Sequence, residues 1–384
     1  LDPHFTLQPG MKAGEHSWGG HPLMCNVTEF VPNDLFFDGY HLGNSWRLLA
    51  EMDPHLFLNV LLPPLLFESA FAIDWHIFAK LSGSALFLAL PGLVVATTLT
   101  GMVYAWFYEW PWESCILLGG ILSATDPVAV VALLREMGVK KSLATLIEAE
   151  SLLNDGTAVV VYSIFLKAVE FGGLQAWLDA EGQQPIYLLW VTVRMSIVGP
   201  LMGVAFGVVT ILFLEQNWGA IGNNDANVET ICTLAMPFLV FYLAETAFGE
   251  TWQMSGVLAV VAYGLVFASP WGRVRIDPKV MHFLHEFWPM VGHLTNTLIF
   301  SIAGVLVVIK IADQSSLWEN LGYGTAIYFF LTLIRGVIMF AVIPLFRRSQ
   351  YGYDWREALV STWGGLRGAV SLALSVALSL DEQI

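Results

Sequence analysis

Beyond its first fifty residues the chain alternates long apolar runs with short polar joints. Residues 1–53 are polar, rich in Gly, Pro, His and Asp, and hold no apolar run of spanning length, so they read as a loop. Ten apolar segments follow, at roughly 54–72, 83–107, 114–136, 141–169, 185–215, 228–247, 253–269, 282–311, 324–348 and 356–380. Each is near or above the ~20 residues a helix needs to cross the hydrocarbon core. The pattern predicts an all-α polytopic membrane protein with its transmembrane domain over 54–384.

Two of the ten segments are interrupted. The third carries Thr125-Asp126-Pro127 at its middle, where proline removes a helical hydrogen bond and disfavours helix at the residue before it. The tenth carries Trp363-Gly364-Gly365-Leu366-Arg367-Gly368, three glycines around one arginine. Seven spans apart, they cross the membrane in opposite directions. That is the arrangement of an inverted-topology repeat, in which the broken helices meet at the midplane.

Composition agrees. Of 384 residues 56% are hydrophobic and 13% charged, about half the charge of an ordinary soluble domain. The net charge, 17 − 32 = −15, argues against a nucleic-acid partner, whose phosphates require a basic surface. Cys25, Cys115 and Cys232 follow no metal spacing and read as packing residues. With residues 1–53 extracellular, the cytoplasmic joints hold ten Lys and Arg, including Arg135, Lys140 and Lys141, against four outside. Asn26-Val27-Thr28 is then a glycosylation acceptor pattern. Arg194, Arg335 and Arg367 lie inside spans.

Ionisable residues inside spans mark function, and they concentrate between Ala124 and Phe165. Asp155 is a candidate ion carboxylate, with Asn154, Asp126, Thr125 and Ser151 supplying further hard oxygen ligands suited to Na⁺. An apolar setting disfavours the charged carboxylate. One buried aspartate therefore holds a proton or a cation, not both, and that competition couples the two. A buried Glu150 needs a partner, and Arg367 is the natural one. Asp126 is placed to offset the dipole of a helix N-terminus. Glu148 reads as an acid facing lipid interface or cytoplasm near Lys140-Lys141, Glu68 as a vestibule acid, and Arg194 and Arg335 as snorkelling or paired structural residues.

The runs LPPLLFESAF, ATDPVAVVALL, ESLLNDGTAVV, NTLIFSIAGV and WGGLRGAVSLALS, in that order, resemble the sodium/proton exchangers of the monovalent cation/proton antiporter superfamily, electroneutral branch. The likeness covers Glu51 to Ser379 and is greatest to plant salt-overly-sensitive exchangers and sperm-specific exchangers. The resemblance implies an inverted-repeat antiporter fold with crossed broken helices, no cofactor, and one-for-one exchange of Na⁺ for H⁺ by alternating access. It makes Asp155 the ion-binding aspartate, Asn154 its neighbour, Thr125 and Asp126 the contribution of the first broken helix, and Glu150–Arg367 a salt bridge. Such exchangers have about thirteen spans. The ten found here predict a fragment lacking the first two helices and the last, of a plasma-membrane protein that is a homodimer at full length; the sperm likeness would place it in the flagellum. Two rivals are a cation channel, for which the sequence offers no filter, and an intramembrane aspartyl protease using Asp126 and Asp155, whose Gly-x-Gly-Asp setting is not found.

Overall fold

The computed structural model describes residues 57–180, 182, 184, 186–217, 226–247, 254–276, 278–312, 317–347 and 352–380, together with two short strands. Those strands, β1 (Ser17–Trp18) and β2 (His21–Pro22), pair antiparallel. The remainder of the predicted 1–53 loop lies outside the described residues.

Within the described residues, each of the ten apolar segments is helical. A π-helical turn at Phe57–Leu61 leads into α1 (Leu62–Ala72), whose first turn tolerates Pro63 and Pro64 because N–H groups there have no intrahelical partner. The carboxylate of Asp74 accepts the His76 N–H at 3.2 Å and starts α2 (Trp75–Phe87). A second π-helical turn, Leu88–Gly92, absorbs Pro91 and carries α2 directly into α3 (Leu93–Tyr108). The third segment divides into α4 (Trp112–Ser123) and α5 (Val128–Glu136), and the fourth is the unbroken α6 (Lys141–Glu170). Then come α7 (Leu174–Ala180), α8 (Ile186–Asn217), α9 (Ala226–Tyr242), α10 (Gly256–Ala268), the single turn α11 (Pro270–Arg273), α12 (Pro278–Ala312) and α13 (Leu317–Phe346). The tenth segment divides into α14 (Trp355–Trp363) and α15 (Ala369–Leu380).

Among the described residues, six helical stretches are long and apolar enough to cross a membrane, and four shorter apolar helices, including α10, accompany them. The long helices α8 and α13 present Trp190, Leu201, Phe213, Tyr328 and Phe329 outward, which suits lipid as solvent. The shorter α10 is buried on almost every side, with Val257, Val260, Tyr263 and Phe267 at 0–1% exposure. Phe67 of α1 packs on Trp288 of α12 at 4.6 Å and on Tyr263 of α10 at 5.6 Å between ring centroids. This aromatic cluster braces α1, α10 and α12, while α6 packs against α4 and α2 on one side and α10 on another. The close approach of α6 to α10 depends on Gly156, where a Cβ would fall within 2.7 Å of the Leu258 side chain.

Candidate functional site

The site is built where the two interruptions meet. After α4 the backbone turns extended at Ala124 (φ −63°, ψ 139°), and Pro127 brings no N–H. Backbone groups freed inside a membrane must find partners within the protein, and here each break supplies the other. The Asp126 N–H donates to the Leu366 carbonyl at 2.8 Å, and the Ser371 hydroxyl donates to the Ala124 carbonyl at 3.3 Å. The Ser151 hydroxyl of α6 donates to the Thr125 carbonyl. The two broken helices are thus joined backbone to backbone and tied to α6.

Asp126 does the work of a helix cap. Its Oδ1 accepts the Val128 N–H at 3.0 Å at the start of α5, and its carboxylate also meets the Ala369 N–H that opens α15. One carboxylate therefore faces the positive ends of two half-helices. The crossing is so tight that a Cβ on Gly368 would overlap Asp126.

Glu150 is buried at 3% exposure, and its partner is not the one the sequence suggested. Arg335 of α13 donates from Nη1 and Nη2 to its two oxygens at 3.1 and 3.3 Å, and from Nε to the Ser361 carbonyl at 2.9 Å. The expected Glu150–Arg367 bridge is replaced by Glu150–Arg335, so of the two readings of Arg335, snorkelling or paired structural residue, the contacts favour the second. The physical reason is local: a Cβ on Gly365 would overlap the Arg335 side chain, so the glycine opens the path along which Arg335 reaches α6. Arg367 instead donates from Nη1 to the Gly365 carbonyl of its own break at 2.8 Å.

Beside an open hollow of about 580 Å³ lined by Asp126, His293, Asn296, Leu366 and Arg367, two cavities reach the acids of α6. The larger, about 300 Å³, is lined by Asp155, Ser151 and Asp126, and across from them by Glu68 of α1 and His293 and Asn296 of α12. Its mouth carries Arg135 and Glu148, paired at 2.9 Å. The smaller, about 40 Å³, is lined by Thr125, Glu150, Asn154, Arg335 and Arg367. Of the residues singled out in the sequence, Asp155, Ser151 and Asp126 share one chamber. Thr125 and Asn154 line the other, and the Thr125 carbonyl is linked to the first through the Ser151 hydroxyl. Asn154 donates to Glu150 Oε1 at 3.3 Å, while its buried Oδ1 finds no partner among the described residues. Glu148, read as facing the interface or cytoplasm, is mostly enclosed at the cavity mouth.

Glu68, read as a vestibule acid, lines the chamber that holds Asp155. An acid inside the run Leu65-Leu66-Phe67-Glu68-Ser69-Ala70 was the available signal, yet only packing shows that it shares a chamber with Asp155.

Comparison with known proteins places the arrangement. The family described as sodium/hydrogen exchanger, transmembrane, matches residues 32–384. The chain is similar to sodium/hydrogen exchanger 7 of Arabidopsis thaliana, 39% identical over 88% of this chain and 28% of that protein. It is also similar to sodium/hydrogen exchanger 8 of the same plant, 36% identical over 88% of this chain and 43% of that protein. With mouse solute carrier family 9 member C1 it shares 25% identity over 86% of its own length and 27% of that protein's. The chain thus spans less than half the length of each of these three relatives. Among solved structures, the sodium proton antiporter MjNhaP1 from Methanocaldococcus jannaschii at pH 8 superposes with TM-score 0.69 at 16% identity, over 88% of this chain and 75% of that one. The fold is therefore that of an antiporter with crossed, interrupted helices.

Proposed function

The chain belongs to the sodium/hydrogen exchanger family, and from that premise and the cavity geometry we propose that it exchanges Na⁺ for H⁺ across a membrane by alternating access. The observation that carries the reading is the 300 Å³ chamber in which Asp155, Ser151 and Glu68 converge beside the crossed helix breaks. Na⁺ is the cargo. It exchanges its hydration shell for the Asp155 and Glu68 carboxylates, the Ser151 hydroxyl and the Thr125 carbonyl, hard oxygens suited to a hard cation. Asp126 stays in its capping role and holds the breaks together.

Exchange follows from competition for Asp155. The cation leaves when a proton takes the carboxylate and enters when the proton departs, so one charge replaces one charge and transport is electroneutral. Asp155 alone trades its proton for the cation, and Asn154, an amide, places no second exchanging acid next to it on α6. The larger chamber opens on the side of the Lys140–Lys141 turn, which is the cytoplasmic side, and residues 1–53 lie outside the cell. The protein works in the plasma membrane as a homodimer, with no cofactor.

The test is proton movement in vesicles. Under an imposed Na⁺ gradient, reconstituted protein should carry protons, and Asp155→Asn should reduce the signal to that of protein-free vesicles while folding normally. Wild-type rates in Asp155→Asn would remove the assignment. A steady Na⁺ current at zero proton flux would favour a channel instead.

A further inference from the structure

The entrance to the larger chamber carries an ion pair for which the exchange mechanism has no use. Arg135 sits in the last turn of α5 and Glu148 two turns into α6, the antiparallel helix that follows after a short turn. Their Nη2–Oε2 distance is 2.9 Å, and both line the chamber. Arg135 is 58% exposed and Glu148 15%, so the guanidinium stands at the opening with the carboxylate just inside. Glu148 and Asp155 are seven residues apart on α6, which places them on one face about 10 Å from each other along the axis.

We propose that the Arg135–Glu148 pair sets the cation affinity of the exchanger by fixing the charge of the passage to Asp155. The proposal rests on the transport function argued above and concerns the same chamber. Besides this pair, the chamber holds Glu68 from α1, Asp126 from the break, Asp155 from α6 and His293 from α12. The passage is acidic, and Arg135 is the cation lining it among the described residues. With Arg135 present the portal is neutral as a pair. Removing the guanidinium deepens the negative potential that a cation meets on its way in, while neutralising Glu148 leaves an unbalanced positive charge at the opening. A unit charge about 10 Å from the bound ion changes its equilibrium by about twofold in a watery passage and about fifteenfold at the effective screening of a protein surface.

A pair that only clamps α5 to α6 behaves differently. Loss of either partner would then weaken the same hairpin, and both changes would act in one direction. The experiment measures the Na⁺ dependence of proton movement in vesicles at about pH 8, well above the ordinary carboxylate range. Arg135→Gln is expected to lower KM for Na⁺ and Glu148→Gln to raise it, each within the two- to fifteenfold range, and the double variant to return near wild type. Choline chloride should shrink both shifts by screening. Single changes that move KM in the same direction, or a double variant worse than either, would overturn the proposal. Should Glu148→Gln not fold, Arg135→Cys on the exposed side decides the matter after folding: a cationic thiol reagent should restore the wild-type KM and an anionic one lower it further. Equal effects of the two reagents count against the proposal. The Asp155→Asn variant run alongside separates the failures. If it still exchanges, the transport reading is at fault; if it is silent while the portal variants fail their signs, only this inference falls.

Discussion

At the scale of single residues, Glu150 and Arg335 define what the interior tolerates. A carboxylate at 3% exposure is stable as a charge only because a guanidinium meets both its oxygens. Breaking such a pair from one side costs about 3–5 kcal/mol, since the survivor is left buried without its counter-charge. Arg335→Gln should therefore lower the detergent-solubilised protein's midpoint of thermal unfolding markedly. Arg367→Gln, which removes no acid's partner, should lower it much less. Exchanging the charges, Glu150→Arg with Arg335→Glu, should recover part of the loss, though not the bond to the Ser361 carbonyl. Equal damage from Arg335→Gln and Arg367→Gln would contradict the assignment. That Glu150 needs a partner was legible in the sequence. Which of two arginines would serve was not, because spacing along the chain says nothing of how α13 and α14 lie against α6. The contact hangs on a missing Cβ at Gly365.

At the scale of elements, both interruptions were readable because proline and glycine act locally. Pro127 cannot continue α4 into α5, and Gly364, Gly365 and Gly368 offer no side chain to hold α14 and α15 together as one helix. The segments needed only hydropathy. The length of α10 resisted that reading, since a short buried helix and a spanning one look alike along a sequence. The meeting of the breaks sets its own test. Adding a methyl at Gly368 must push Asp126 aside, and overpacking of this kind costs about 1–3 kcal/mol. Gly368→Ala should therefore slow exchange severely in vesicles while most of the helical signal in circular dichroism survives. Gly322 of α13 has nothing within 4 Å of its would-be Cβ. Gly322→Ala, as a control in an open helix, should leave transport intact. Full transport in Gly368→Ala would show that the crossing does not position Asp126.

At the scale of the whole molecule, the two cavities that reach the acids of α6 are unequal. A chamber of about 300 Å³ reaches Asp155 from the side of the Lys140–Lys141 turn, whereas the cavity between Glu150 and two arginines holds only about 40 Å³. The difference is one of charge as well as size. The wide side is lined by Glu68, Asp126, Asp155 and the neutral Arg135–Glu148 pair, and the narrow side by two guanidinium groups against one carboxylate. A cation is drawn into the first and repelled from the second, which is the condition for binding ions from one side at a time. Water access should report this directly. In a background lacking Cys25, Cys115 and Cys232, a cysteine in place of Ser69, on the wide chamber, should react with a membrane-impermeant thiol reagent added from the Lys140–Lys141 side. One in place of Thr100, which lines the narrow cavity at 2% exposure, should stay at background. Saturating Na⁺ should slow the first reaction, because a cation held by Asp155 and Glu68 occupies the space the reagent enters. Equal reactivity at the two positions would mean that the passage is continuous, and a continuous passage is a channel rather than an exchanger.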